Sequence, residues 1–187
     1  VAPLPDGRAR RDPPGRAGAE SQAEWVIGVG ASAGGLEALT GFLRPLPQSL
    51  PAAIVVVQHL SHTHPSLLVQ LLARETSLPV VEIVPGMHPR RGVVHIAPAK
   101  RNVVLRADGF FLLDPPRTRI PTPSVDDFFI SLAEVRGPHA IGIVLSGTGS
   151  DGAAGLGVIR ERGGHTYAQD PESAGYGGMP SAAIDAG

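Results

Sequence analysis

Short apolar runs alternate along the chain with segments whose apolar positions recur at helical spacing. The apolar runs are rich in Val, Ile and Ala and predict strands at 25–30, 52–59, 80–83, 93–99, 140–147 and 165–170. The segments between them predict helices at 36–46, 65–76, 124–137 and 151–164. Because strands that alternate with helices are joined by right-handed crossovers, we predict an α/β fold with a doubly wound, mostly parallel sheet and helices on both faces.

Local signals mark the ends of several elements. Pro45 is expected to end the first helix before its last apolar position. Ser124, with Asp127 three residues later, forms an N-cap pattern at the start of the third helix. Two apolar runs joined around Asp108 and Gly109 predict a hairpin, which would be an antiparallel addition to the sheet.

The first residues differ in composition from the rest of the chain. Residues 1–23 are rich in Pro, Gly, Ala and Arg and show no periodicity, so we expect a disordered linker there. One domain would follow at 24–187. The chain opens on Val1, which suggests a fragment of a longer protein.

Composition and charge exclude several functional classes. With 42% hydrophobic and 18% charged residues, the 187-residue chain has an ordinary globular composition. A formal net charge of −1 offers no basic field for nucleic acid. The absence of cysteine excludes disulfides, a thiolate nucleophile and cysteine-ligated metals. Without a signal peptide or an apolar run of roughly 20 residues, we expect a cytoplasmic protein with no membrane insertion.

The segment WVIGVGASAGGLEAL, residues 25–39, joins a predicted strand to a predicted helix through a glycine-rich turn. Gly28, Gly30 and Gly34 fit a phosphate-binding pattern, G-x-G-x-x-x-G. Gly30, Ser32 and Gly34 equally fit G-x-S-x-G, in which a tight turn exposes a nucleophilic serine. The two patterns predict a nucleotide-binding protein and a hydrolase, respectively.

The end of the second strand distinguishes these two interpretations. A dinucleotide site needs an acidic residue there to bind the ribose hydroxyls. The chain has Gln58 and His59 at that place, and no G-K-[ST] follows the glycines as a P-loop requires. A histidine suits a general base, so the nucleophile interpretation is favoured.

Three residues of complementary chemistry follow three predicted strands. Ser32 follows the first strand, His59 ends the second, and Asp151 follows the strand at 140–147. Because the carboxyl ends of parallel strands meet at one edge of a sheet, these side chains should lie together. They would form a nucleophile, a general base and the carboxylate that orients the base. The chain order Ser, His, Asp differs from the Ser, Asp, His order of the α/β-hydrolases.

Other residues at the same edge offer two alternatives. Asp170 also follows a predicted strand and competes with Asp151 for the carboxylate role. His59, His62 and His64 form an H-x-x-H-x-H pattern, but no paired carboxylates accompany it and we expect no metal.

Five segments in order resemble the protein-glutamate methylesterase (CheB-type) domain of bacterial chemotaxis systems. They are GASAGG, VVVQHL, PSVDDFFISLA, GIVLSGTGSDGAAGL and QDPESAGYGGMPSAAIDAG. The resemblance runs from about residue 25 to the end of the chain. It implies a cofactor-free serine esterase that hydrolyses glutamyl methyl esters on chemoreceptors to glutamate and methanol, and that can also deamidate glutamines.

The resemblance also implies roles for individual residues. The family triad falls on Ser32, His59 and Asp151, in agreement with the strand-end argument. The oxyanion donors would be backbone N–H groups of Ala33, Gly34 and Thr148. Ala33 replaces a common threonine and Thr148 a common methionine, which would affect substrate placement more than the backbone donors.

The implied partner is a methylated chemoreceptor-like protein. Motif variants such as GASAGG resemble domains fused to receptor methyltransferase and sensor modules, which would belong to the same parent chain. Only a short linker precedes the domain, so phosphorylation control by a receiver domain is not expected, and the end at AIDAG suggests a truncated last element. The alternative function is a non-catalytic regulatory or binding module of such a fusion.

Overall fold

A six-stranded parallel sheet forms the centre of the molecule. The computed structural model describes residues 22–59, 67–115 and 122–187. The sheet has the order β3-β4-β2-β1-β7-β8, and all its neighbouring strands pair in parallel. Its strands are β1 (Trp25–Ala31), β2 (Ala52–Gln58), β3 (Val80–Glu82), β4 (Val94–Ile96), β7 (Ala140–Val144) and β8 (His165–Ala168). A separate antiparallel pair consists of β5 (Asn102–Arg106) and β6 (Gly109–Leu113).

Helices cover both faces of the sheet. They are α1 (Gly35–Leu43), α2 (Leu68–Leu72), α3 (Val125–Arg136), α4 (Ala153–Glu161) and α5 (Gly178–Asp185). One apolar cluster joins α1 and α2 to one face, and a second joins α3, α4, α5 and the β5–β6 pair to the other. The doubly wound α/β prediction is therefore confirmed.

The central strand β2 shows why its sequence is so apolar. All seven of its residues are buried. Ala53, Val55 and Val57 belong to the cluster under α3, while Ile54 and Val56 belong to the cluster under α1. A strand covered on both faces needs apolar side chains at every position, which is the reason for the AAIVVV run.

Several predicted boundaries shift in the structure. The first helix ends at Leu43, two residues before Pro45, as expected. The helix predicted at 65–76 is shorter, because α2 spans only Leu68–Leu72; residues 65 and 66 lie outside the described part. The hairpin around Asp108 is antiparallel as predicted, but it pairs with itself and not with the main sheet.

The structure adds detail at the predicted linker and at the last helix. Of the predicted linker only Gln22 and Ala23 are described; Gln22 forms a β-bridge with Arg90, and Ala23 is buried. The division at residue 23 stays a prediction. Helix α5 was not predicted, because its Gly178 and Pro180 resemble loop signals.

No helix in the described part of the chain combines the length and apolar character needed to span a membrane.

Candidate active site

The register of the sheet brings the first two predicted site residues together. Ala31 of β1 lies opposite Gln58 of β2, so Ser32 and His59 are the next residues of two adjacent strands. The His59 N–H donates to the Ala31 carbonyl at 3.0 Å, which continues the pairing past the strand end. Both residues therefore lie at the carboxyl edge of the sheet, as predicted.

The structure pairs His59 with Asp151. His59 Nε2 lies 2.7 Å from Asp151 Oδ2, and the two side chains are only 11% and 12% exposed. With its proton on Nε2, the neutral ring donates to the carboxylate and carries its lone pair on Nδ1. The free nitrogen of this ring is then Nδ1, which can act as a base.

The Asp151 carboxylate is fixed by the start of α3 as well as by His59. Its Oδ2 accepts from the Val125 N–H at 2.8 Å, and its Oδ1 accepts from the Asp126 N–H at 2.9 Å. Burial acts to raise the pKa of Asp151, but the hydrogen bonds from His59, Val125 and Asp126 outweigh it and hold the pKa below its usual value. Asp151 is therefore ionised at neutral pH.

The turn around Ser32 is tight and held by the backbone. The Ser32 N–H donates to the Ser146 carbonyl, and the Gly35 N–H returns to the Ser32 carbonyl, both at 2.9 Å. Gly34 adopts the left-handed conformation with φ 71°. A methyl group on Gly147 would overlap Met179 and lie within 2.9 Å of Ser32 Cβ, so a glycine is needed beside the nucleophile turn.

The predicted oxyanion donors are available. Ala33, Gly34 and Thr148 use their backbone N–H groups in no hydrogen bond with any residue that the structure describes. The Ser32 hydroxyl likewise makes none within the described ranges, so Ser32 and His59 are neighbours without being bonded. In free enzymes such contacts are often long and tighten when substrate binds.

The alternatives at this edge are not paired with the histidine. Asp170 Oδ1 accepts from the Glu172 N–H at 3.0 Å and so serves its own turn. Within residues 22–59, 67–115 and 122–187, no group of three His, Cys, Asp or Glu side chains could hold a metal. His62 and His64 lie outside the described residues.

Two residues with important contacts were not identified from the sequence. Asp126 lies in the first turn of α3, and its Oδ1 accepts from the N–H groups of Gly152 and Gly155 at the start of α4. Ser146 is fully buried beside the Ser32 turn and hydrogen-bonds to it with both backbone and side chain. No spacing in the sequence links these partners, because the contacts join segments 25 or more residues apart.

A groove of about 570 Å³ begins at Gly34 and runs beside α1. One wall is formed by α1, with Glu37, Ala38, Gly41 and Phe42, and the other by the loop after β8. The groove reaches the nucleophile turn at Gly34.

The fold and site define a class of protein. It is a doubly wound α/β protein that carries a serine, a histidine and an aspartate, the residue set of serine hydrolases, at one edge of its sheet. The family model for CheB methylesterase matches residues 27–187. The chain therefore belongs to the CheB methylesterase family.

Individual relatives agree with this assignment. The chain is 40% identical over 168 residues to "Protein-glutamate methylesterase/protein-glutamine glutaminase 1" of Carboxydothermus hydrogenoformans, covering 87% of this chain and 49% of that protein. It is 40% identical over 160 residues to "Protein-glutamate methylesterase FrzG" of Myxococcus xanthus, covering 85% and 48%. The chain thus spans about half the length of these curated relatives.

A solved structure has the same fold. The crystal structure of the Thermotoga maritima CheB methylesterase catalytic domain superimposes with a TM-score of 0.82 at 32% identity. The superposition covers 86% of this chain and 87% of that one. Nearly all of the described domain therefore corresponds to the catalytic domain of that protein.

Proposed function

We propose that this protein is a serine esterase that hydrolyses glutamyl methyl esters on a chemoreceptor-like protein to glutamate and methanol. The observation that carries the proposal is the 2.7 Å contact between His59 Nε2 and Asp151 Oδ2 beside the Ser32 turn. It orients the histidine with its free nitrogen available for the serine. The names of the relatives, which include protein-glutamate methylesterase, support the same reaction.

The proposed reaction has two halves. His59 Nδ1 takes the proton as Ser32 Oγ attacks the ester carbonyl, and the ionised Asp151 stabilises the imidazolium that forms. Backbone N–H groups of Ala33, Gly34 and Thr148 stabilise the oxyanion. The C–O bond to the methoxy group breaks, His59 returns its proton to give methanol, and water then hydrolyses the acyl-enzyme by the same sequence of steps.

The proposed substrate is a glutamyl methyl ester side chain of a folded partner protein. The groove of about 570 Å³ beside α1 begins at Gly34 of the nucleophile turn, and we infer that it receives the receptor segment that carries the ester. We infer that the protein acts in the cytoplasm and that methyltransferase or sensor modules of the same parent chain would bring the receptor near the site. Glutamine deamidation, named for several relatives, would use the same steps with ammonia as the leaving group.

Methanol release from a methylated receptor fragment tests the proposal. Wild type should release methanol, while Ser32→Ala should lower the rate about 10⁴-fold or more, since the residual binding and oxyanion contacts alone give little catalysis. Ser77→Ala is the matched control: Ser77 is exposed in the segment before β3, away from the sheet edge that carries Ser32. It should keep the wild-type rate.

Two results would overturn the proposal. If folded wild type releases no methanol from the fragment yet binds it, the non-catalytic binding module replaces the esterase. If wild type is active and Ser32→Ala equals it, the nucleophile assignment is wrong. Circular dichroism of each variant distinguishes loss of chemistry from loss of fold.

A further inference from the structure

Ser146 connects three segments beneath the nucleophile turn. It lies two residues after the end of β7 and is fully buried. Its N–H donates to Gln169 Oε1 at 2.9 Å, and its carbonyl accepts from the Ser32 N–H at 2.9 Å. Its hydroxyl donates to the Ala33 carbonyl at 2.8 Å and accepts from the Tyr176 N–H at 3.0 Å. The backbone and side chain of one residue thus bracket the Ser32–Ala33 dipeptide.

The hydroxyl bond determines the orientation of one peptide plane. In a trans peptide the carbonyl of one residue and the N–H of the next point in opposite directions. Holding the Ala33 carbonyl toward Ser146 therefore turns the Gly34 N–H away from Ser146, out of the buried interior. Gly34 is exposed, and its N–H makes no hydrogen bond with a described residue.

The preceding peptide plane does not depend on Ser146. The Ser32 carbonyl accepts from the Gly35 N–H at 2.9 Å and from Gln58 Nε2 at 3.4 Å. These two donors fix the direction of the Ala33 N–H. Ala33 and Gly34 follow Ser32, and their N–H groups have no partner among the described residues; of these two N–H groups, only that of Gly34 is oriented by the Ser146 hydroxyl.

The same hydroxyl explains why residue 34 is small. A methyl group on Gly34 would lie 2.7 Å from Ser146 Oγ, in addition to the strain of φ 71°. The Ser146 hydroxyl therefore fits in its place only because residue 34 has no side chain. A side chain there would displace the hydroxyl that holds the turn. This close packing leaves the peptide plane little freedom to rotate.

We propose that Ser146 is a positioning residue whose hydroxyl aims the Gly34 N–H at the oxyanion formed during ester hydrolysis. The inference rests on the proposed esterase function and deepens it. Loss of a whole oxyanion donor lowers kcat about 10²- to 10³-fold. A donor that is present but no longer held should lower kcat by about 10- to 100-fold, with little change in KM because the oxyanion exists only after attack.

Ser131→Ala provides a matched control for Ser146→Ala. Ser131 is also buried, and its hydroxyl also donates to a carbonyl, that of Phe128 at 2.8 Å, and accepts from an N–H, that of Leu105 at 3.0 Å. It lies in α3, under the β5–β6 pair. Both variants delete a hydroxyl with the same bonding pattern, but only one touches the nucleophile turn.

The experiment measures kcat and KM for methanol release by the full chain carrying Ser146→Ala, Ser146→Cys or Ser131→Ala. Ser146→Ala should lower kcat about 10- to 100-fold with KM within about twofold of wild type. Ser146→Cys should be intermediate, because a thiol fills the space but donates weakly. Ser131→Ala should leave both constants near wild type.

The outcomes separate this inference from the function on which it rests. A wild type that releases no methanol overturns the esterase proposal. If wild type is active and Ser146→Ala has the same kcat as Ser131→Ala, the positioning role of Ser146 is wrong. A kcat of Ser146→Cys equal to that of wild type would also contradict it, because it would show that the side chain acts only by filling space. A ¹H–¹⁵N spectrum adds a readout independent of activity: the Gly34 amide should shift and gain mobility in Ser146→Ala but not in Ser131→Ala.

Discussion

Asp151, which precedes α4, and Asp126, near the start of α3, each accept hydrogen bonds from backbone N–H groups at the start of the other's helix. Asp151 precedes α4 and accepts from the first N–H groups of α3, while Asp126 in α3 accepts from Gly152 and Gly155 at the start of α4. Helix N-termini favour negative charge, but burial and the neighbouring Asp151 raise the pKa of Asp126, so its oxygen matters here chiefly as a hydrogen-bond acceptor for α4. The candidate triad carboxylate is thereby held by a contact between two helices and not by a loop alone.

Removal of Asp126 should weaken both the fold and the site. Asp126→Ala leaves the Gly152 and Gly155 N–H groups without acceptors, which should lower the free energy of unfolding by about 2–4 kcal/mol. Because Gly152 directly follows Asp151, displacement of this turn should also lower kcat about 10- to 100-fold. Urea unfolding and methanol release measure the two effects.

Asp126→Asn tests whether the acceptor or the charge matters. An asparagine oxygen can still accept from both N–H groups, so the loss of stability should be about 1 kcal/mol. Asp114→Ala is the control, because Asp114 forms an ion pair with Arg101 while 88% exposed and should change stability by less than about 0.5 kcal/mol. Equal stability of Asp126→Ala and Asp114→Ala would contradict the interpretation.

The sequence correctly predicted which edge of the sheet carries the candidate site. It did not show which glycines are needed for the turn and which are needed so that a helix can pack closely on a strand. Strand ends follow from apolar runs, and parallel strands bring their carboxyl ends together, so the neighbourhood of Ser32, His59 and Asp151 could be predicted. Gly30 was assigned to the nucleophile turn, yet it lies inside β1, where a methyl group would overlap Val125 of α3. The role of each glycine depends on tertiary contacts, such as that between Gly30 and Val125, which the local sequence pattern does not reveal.

Contacts between segments that are distant in the sequence could likewise not be predicted from it. The hydrogen bonds of Asp126 to α4 and of Ser146 to Ala33 depend on how α3 and β7 pack, whereas capping by Ser124 is local and was predicted. Local rules therefore predicted which side chains gather at the carboxyl edge of the sheet. The residues that hold them in place required the tertiary structure.

Gly30→Ala should disturb the site through Val125. The added methyl group pushes on Val125, whose N–H donates to Asp151, so overpacking should cost about 1–3 kcal/mol and lower kcat. The double variant Gly30→Ala/Val125→Ala makes room for the methyl group and should recover part of both losses relative to Gly30→Ala. A double variant with the summed losses of the two single variants would argue against direct contact as the cause.

His95 should make stability depend on pH. Its ring is fully buried, donates from Nδ1 to the Ile54 carbonyl at 3.0 Å, and packs on Phe110. Burial lowers the pKa of His95 from 6.5 to about 4. Between these values the unfolded chain binds more protons than the folded one, so stability present above pH 6.5 is lost as pH falls, by about 2 kcal/mol from pH 7 to pH 5.

Urea unfolding at pH 7 and pH 5 measures this loss. His95→Gln removes the titrating group, so the difference between the two pH values should shrink by about 2 kcal/mol, whatever the variant's stability at pH 7. His165→Gln changes an exposed histidine and should retain the wild-type difference. An unchanged difference in His95→Gln would show that other groups cause the acid sensitivity.

Two glycines of α4 should respond in opposite directions to alanine. A methyl group on Gly157 would meet no atom within 4 Å, so Gly157→Ala should stabilise the protein by about 0.5–1 kcal/mol through helix propensity. A methyl group on Gly155 would lie 2.5 Å from Phe129 Cβ and 3.2 Å from the Asp126 carbonyl oxygen, both in α3. Gly155→Ala should therefore push the two helices apart and destabilise the protein by about 1–3 kcal/mol. Because propensity is the same for both substitutions, thermal unfolding of the pair isolates the packing between α3 and α4. Equal stability changes in the two variants would mean that the helices separate freely, and the hydrogen bonds that Asp126 and Asp151 exchange between them could not then hold the site rigid.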